Sequence, residues 1–453
     1  MPVPRGRAPV REGKSGMDLH NSKAYTRRAF LVRGVTLASG AVTIPYFLQK
    51  SGVVLAQSSM LNPTGAGVPT DRILVVIQLA GGNDGLNTVV PFASDEYHRA
   101  RPGISIRAEQ VHRLFRQSDV GLHPALEGMK ALFDDGMLTV VQGVGYPNPN
   151  RSHFTSTDIW HTADTRGVGA GWLGRYFDNQ CAGSPAADAG EELAGHAGIA
   201  IGRNAPLTMQ GRAYQPVSFE SEELFRWTGA EASREVAEAY DQMMRGELDP
   251  TVDETNPTAA FLTRTAMDAR IASDRIRRAV STTPLTRYPR TGLGRQLAMI
   301  ASMIRSGLET RVYYATLGGF DTHAGQGGAQ GQHANLLRQL GDAVRAFYAD
   351  LKAQGNDGRV LSMTFSEFGR RVRANASNGT DHGAAAPLFL MGPMVRAGIH
   401  GNHPSMTELE DGDLKFHTDF RRVYATVLEQ WLKADSRAVL GGRFAPIRVI
   451  KQG

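Results

Sequence analysis

The chain has 453 residues, 41% of them hydrophobic and 21% charged, with 51 glycines and one cysteine, Cys181. That balance fits a soluble globular protein of one large or two medium domains and excludes a disordered, collagenous or disulfide-framed chain. A lone thiol can form neither an intramolecular disulfide nor a thiolate zinc cluster, so any metal must be held by His, Asp and Glu. The formal charge is +6, but residues 1–56 carry nine Lys and Arg against only Glu12 and Asp18. The remaining 41 basic and 42 acidic residues nearly balance. With no basic stripe interleaved with aromatics, nucleic acid is not an expected partner.

The leader reads as an export signal. Thr26-Arg27-Arg28-Ala29-Phe30-Leu31 is similar to the twin-arginine motif, a weakly apolar stretch runs from Val35 to Leu48, and Val54-Leu55-Ala56 has a small-residue cleavage pattern. The expected division is a signal peptide over 1–56, a linker over 57–70 and an α/β domain over 71–453. The twin-arginine translocase is then a partner during export, and the destination is the periplasm or the medium. The apolar stretch is interrupted by Gly40 and Pro45 and falls short of the ~20 residues a membrane helix needs, so no stable membrane span is expected.

Arg72–Ala80 is a near-continuous apolar, β-branched run, the pattern of a strand buried on both faces. Met137–Val144, Arg311–Leu317, Val360–Phe365, Pro387–Met391 and Gly198–Ile201 have the same character. Helical periodicity marks Ala125–Phe133, Gly294–Ile304, Gln332–Leu351 and Asp419–Leu432. This alternation predicts a mostly parallel central sheet with helices on both faces. Residues from about 185 to 288 are less regular, with helical signals near Ser221–Met244 and Pro257–Val280, and read as a partly helical insertion.

In such sheets functional groups collect at the carboxyl ends of the strands. There the chain carries Gly81-Gly82-Asn83-Asp84-Gly85, then Arg151-Ser152-His153, then Asp321-Thr322-His323, then Ser366-Glu367-Phe368-Gly369-Arg370, with Asp381-His382 just before the fifth apolar run. Each motif alone is also a common turn. Together, carboxylates and imidazoles at several strand ends are what one or two divalent metals need to polarise a phosphoryl-type oxygen. Ser152 reads either as a nucleophile presented at a helix N-terminus or as the cap of that helix. Arg151, His153 and Arg370 are candidates to meet an anionic substrate, Arg370 equally a solvated surface residue.

These motifs resemble the domain-of-unknown-function 1501 family, twin-arginine-exported proteins of the alkaline phosphatase-like and sulfatase-like superfamily. The resemblance runs through Arg27-Arg28, Gly81–Asn87, Ser152–Phe154, Gly319–Gln326, Ser366–Arg370, Gly379–Gly383 and Phe416–Leu432. It implies that Asp84 is the metal aspartate of the first strand, that Ser152 lies near the nucleophile position, and that Asp321 and His323 share one metal. It further implies Glu367 in an aspartate position and His382 as a late ligand, with Asp381 beside it. Phe368 stands where that superfamily usually has a histidine, so one ligand of a two-metal set is missing.

The resulting expectation is an exported hydrolase of phosphate or sulfate esters, dependent on Zn, Mn, Mg or Ca, acting on a small anionic ester or glycan-linked substrate through Ser152. The alternative is a non-catalytic exported protein that uses the same fold to bind a metal, a glycan or a partner.

Overall fold

The computed structural model describes residues 71–181, 198–212, 214–220 and 276–451. The expected leader and linker, and most of the expected insertion, including Ser221–Met244 and all but the last five residues of Pro257–Val280, lie outside the described residues; those five are helical. Among the described residues no helix is long and apolar enough to cross a membrane.

Nine strands form one sheet: β1 (Ile73–Leu79), β2 (Leu138–Gly145), β3 (Gly198–Ile201), β4 (Val217–Phe219), β5 (Val312–Leu317), β6 (Val360–Phe365), β7 (Ala386–Met391), β8 (Gly398–His400) and β9 (Thr418–Asp419). The order is β8-β2-β7-β6-β1-β5-β3-β4, with β9 also pairing β2. β1 lies at the centre, parallel to β5 and β6, and every residue of it is buried. That is why it reads as an unbroken apolar run. β7 is antiparallel to both β2 and β6, an exception within a mostly parallel sheet. Its amino end therefore lies at the edge where the parallel strands have their carboxyl ends, which brings Asp381 and His382 to that edge.

Side chains alternate across β1 as strand geometry requires. Ile73, Val75, Ile77 and Leu79 join one core with Leu297, Ile300, Leu337, Leu340 and Phe347. These come from α4 (Gly292–Arg305) and α5 (Gln332–Gln354), and α1 (Glu127–Asp134) adds Met129 and Leu132. Leu74 and Val76 join the opposite core with Trp160, Trp172, Tyr176, Phe420, Tyr424 and Trp431. That face is covered by α2 (His153–Thr162), α3 (Trp172–Cys181) and α6 (Phe420–Thr426). The helix expected over Asp419–Leu432 is α6 continued by a π-helical turn over Val427–Leu432. β3 and β4 pair in parallel with the sheet edge, so the stretch expected as an insertion also contributes to the central sheet.

Candidate metal centre

The loop after β1 makes a tight turn into the short helix Gly85–Thr88. Gly81 has φ +116°, and a Cβ there would lie 2.5 Å from the Asp321 backbone nitrogen. Gly82 has φ +78°, and a Cβ would strike the Phe368 ring. Only glycine tolerates both the positive φ and the contact, so the Gly-Gly pair lets the loops after β1, β5 and β6 close against one another.

Four side chains converge above these loops. His153 opens α2, Asp321 and His323 follow β5, and His382 precedes β7. One ligand atom each from His153, Asp321 and His382 lies within 4.8 Å of the others. The Nε2 atoms of His153, His323 and His382 stand 3.4, 3.1 and 3.2 Å from the same Asp321 Oδ1. The His323 and His382 Nε2 atoms are 2.8 Å apart.

The other nitrogen of each ring is already engaged. His153 Nδ1 lies 2.8 Å from Glu367 Oε1, which also accepts the Gly81 N–H at 2.8 Å. His323 Nδ1 lies 3.0 Å from Asp381 Oδ1, and His382 Nδ1 lies 2.7 Å from the Arg151 carbonyl. Carbonyl and carboxylate oxygens accept, so each ring donates from Nδ1 and turns its Nε2 lone pair inward. His153 Nε2 is buried without a hydrogen-bond partner. Three inward lone pairs around a carboxylate oxygen repel unless a cation or protons sit among them. Imidazoles fixed through the far nitrogen are the usual outer support of a metal ligand set.

Electrostatics favour an ionised Asp321 and a neutral His382. Burial pushes the Asp321 carboxyl up, but the Arg370 guanidinium, with His382 and His153 beside it, outweighs this and holds it down at about 2. Burial pushes the His382 imidazolium down, against the raising effect of the Arg151 carbonyl and Asp321. Hydrogen bonds from Asn375 and His323 hold the Asp381 carboxyl low. Phe368 is buried, and its ring centroid lies 4.9 Å from that of His153 and 4.6 Å from that of His382. Phe368 is thus an apolar wall that packs both imidazoles.

The remaining expected residues fall elsewhere. Asp84 is fully buried beneath the group, where its Oδ2 accepts from Arg101 Nη1 and Gln326 Nε2, both at 2.5 Å. Its charge is met by a guanidinium that the chain itself supplies, as a carboxylate with no access to water requires, while its Oδ1 is buried without a hydrogen-bond partner. Glu367 supports His153 from behind, and Asp381 supports His323. Arg370 is not a solvated surface residue. It is buried and donates to the carbonyls of Gly81, Gly82, Phe320 and Thr380 and to Asp321 Oδ1. Arg151 is held by Asp413 Oδ2, at 2.8 Å from Nε and 2.5 Å from Nη2.

Ser152 occupies the N-cap position of α2 with extended backbone (φ −82°, ψ 128°), but its hydroxyl makes no capping bond and the residue is exposed. The sequence did not single out Arg101, Gln326, His333 or Asp413. Gln326 lay inside the Gly319–Gln326 motif. Arg101, seventeen residues beyond Asp84, carries no local signal of its role.

No curated protein matches the chain. Among solved structures it is similar to the PsFucS1 sulfatase from Pseudoalteromonas sp., at 11% identity and TM-score 0.38, over 88% of this chain and 74% of that one. A family model described as "Protein of unknown function (DUF1501)" matches residues 136–443. The match takes in His153, Asp321, His323, Glu367 and His382, and by it the chain belongs to the DUF1501 family.

Proposed function

We propose that the group formed by His153, Asp321, His323 and His382 is a divalent-metal centre, and that the protein is an exported hydrolase of phosphate or sulfate esters. The observation that carries the reading is the convergence of three imidazole Nε2 atoms on one carboxylate oxygen, with each Nδ1 already committed to an acceptor. A donor set of three imidazoles and one carboxylate suits zinc better than calcium or magnesium, which take oxygen ligands. A bound divalent ion would supply Lewis-acid polarisation of the ester oxygens and neutralise charge in the transition state.

The chain's own residues supply the rest. Ser152 directs an uncommitted hydroxyl from the start of α2, whose first N–H groups favour anionic oxygens. Its Oγ bonds to phosphorus or sulfur as the ester bond breaks, and the departing alcohol leaves with the proton that Ser152 gives up. Water then cleaves the Oγ bond and restores the serine. Arg151, paired with Asp413 and with its side chain 36% exposed, is the cation beside Ser152 in sequence and is assigned to the anionic group. The export reading rests on Arg27-Arg28 and the apolar and small-residue segments that follow.

The test is hydrolysis of p-nitrophenyl phosphate and p-nitrophenyl sulfate by the zinc-loaded protein, with Ser152→Ala and His382→Ala alongside. Activity on one ester that both variants lose, with metal lost only in His382→Ala, is the expected result. Full activity of Ser152→Ala removes the serine from the reaction. A metal-loaded wild type inactive on both esters favours the second reading, a metal-binding protein without catalysis. That reading draws support from the sealing of Asp84 by Arg101, which withdraws one strand-end carboxylate from the site.

A further inference from the structure

We infer that the centre takes one divalent ion and no second, because the chain builds its own second and third cations, Arg370 and Arg101, into the strand-end cluster. The inference rests on the metal reading above.

Four carboxylates lie at this edge of the sheet: Asp84, Asp321, Glu367 and Asp381. Two are committed to guanidiniums. Arg101 and Asp84 are both 0% exposed at the side chain and 2.5 Å apart. Arg101 is locked in place by further donation to Asn87 Oδ1 and to the carbonyls of Val372 and Arg371. Arg101 and Gln326 take Asp84 Oδ2, and Oδ1 is buried without a hydrogen-bond partner; an ion drawn to that oxygen would lie beside a fixed, buried guanidinium, like charge against like charge.

Arg370 is the stronger case. Its side chain is 0% exposed, and its nitrogens meet five oxygens: four backbone carbonyls from three loops and Asp321 Oδ1 at 2.7 Å. That is a cation in an oxygen cage at the floor of the site. It ties the β1 and β5 loops to the hairpin of Arg370–Ala374 and Thr380–His382. Phe368 closes the remaining side, packed on His153 and His382 and offering no donor atom. Two guanidiniums against four carboxylates leave two negative charges, which one divalent ion matches. A second divalent ion would turn that balance into an excess of two positive charges beside two buried guanidiniums.

The experiment is zinc titration of the chelator-treated full chain, read as bound zinc per chain by equilibrium dialysis and elemental analysis. One equivalent is expected. Two equivalents with comparable affinity overturn the inference while leaving the metal reading intact. No bound zinc overturns the metal reading itself. The double variant Asp84→Asn with Arg101→Met removes the sealed pair together, and it should keep one equivalent with unchanged Kd. Loss of a hydrogen-bonded neighbour of a true ligand weakens binding roughly 10–100-fold, so weakening of that size in a folded double variant counts Asp84 among the ligands and overturns the inference. If the double variant does not fold, the wild-type count decides alone.

Discussion

Two acidic regions at the same edge of the sheet are built from the same residue types and come out as opposites. Around Asp84, a carboxylate, an arginine, a glutamine and His333 are all buried, and the charge is cancelled internally. Around Asp321, a carboxylate and three histidines stay partly open, the Asp321 side chain 49% exposed, and the imidazole lone pairs face one another. The difference lies in exposure and in the surrounding imidazoles, since each carboxylate meets one guanidinium. Asp84 and Arg101 are sealed together and structural. Asp321 meets Arg370 from the buried side but stays half exposed, ringed by imidazoles whose far nitrogens are occupied.

The largest way to break this contrast is acid. Burial pushes His333 down to about 3, and His123 and His161 down to about 4. All three stay neutral in the folded protein at pH values where the unfolded chain, near 6.5, takes up protons. Their folded values are depressed, so the stability they contribute is complete above about 6.5 and is lost as pH falls towards 4, on the order of 3 kcal/mol for each ring. Urea midpoints of the metal-free protein should fall steeply between pH 6.5 and 4. A flat profile over that window contradicts the sealed, neutral interior. Asp321, held at about 2, adds acid sensitivity only below the carboxylate range.

Next in size is removal of one partner from the sealed pair. Arg101→Met leaves Asp84 as an uncompensated buried charge, and breaking such a pair costs about 3–5 kcal/mol. Chemical denaturation should register that loss. A variant as stable as wild type would mean that the pair is more hydrated than its burial implies.

The open region should respond in affinity before stability. Asp381→Asn weakens the acceptor behind His323 and should raise the zinc Kd about tenfold, with little change in unfolding free energy, because the Asp381 side chain is 55% exposed. Ser152→Ala should move stability least of all, within about 0.5 kcal/mol, since the hydroxyl makes no capping bond. A loss near 1 kcal/mol, usual for a working cap, would restore the capping role that the sequence left open.

Much of the fold was legible for one physical reason: strands buried on both faces need apolar residues at every position. Val360–Phe365 and Gly198–Ile201 match the observed strands residue for residue. The direction of β7 was not legible, since an apolar run reads the same in parallel and antiparallel pairing. At the site, the strand-end motifs supplied all four converging side chains, because chemistry-bearing residues concentrate where strands stop. The division of labour among them was hidden. Glu367 and Asp381 act behind histidines, and Asp84 is paired to Arg101 across a loop, and such pairings are set by tertiary packing that sequence spacing does not encode.

The most direct measurement of the central claim is an anomalous difference map at the zinc edge from crystals of the zinc-treated protein. One peak is expected, bounded by His153 Nε2, His323 Nε2, His382 Nε2 and the Asp321 carboxylate, with nothing at Asp84. A featureless map at that position, or a principal peak on Asp84, would contradict it.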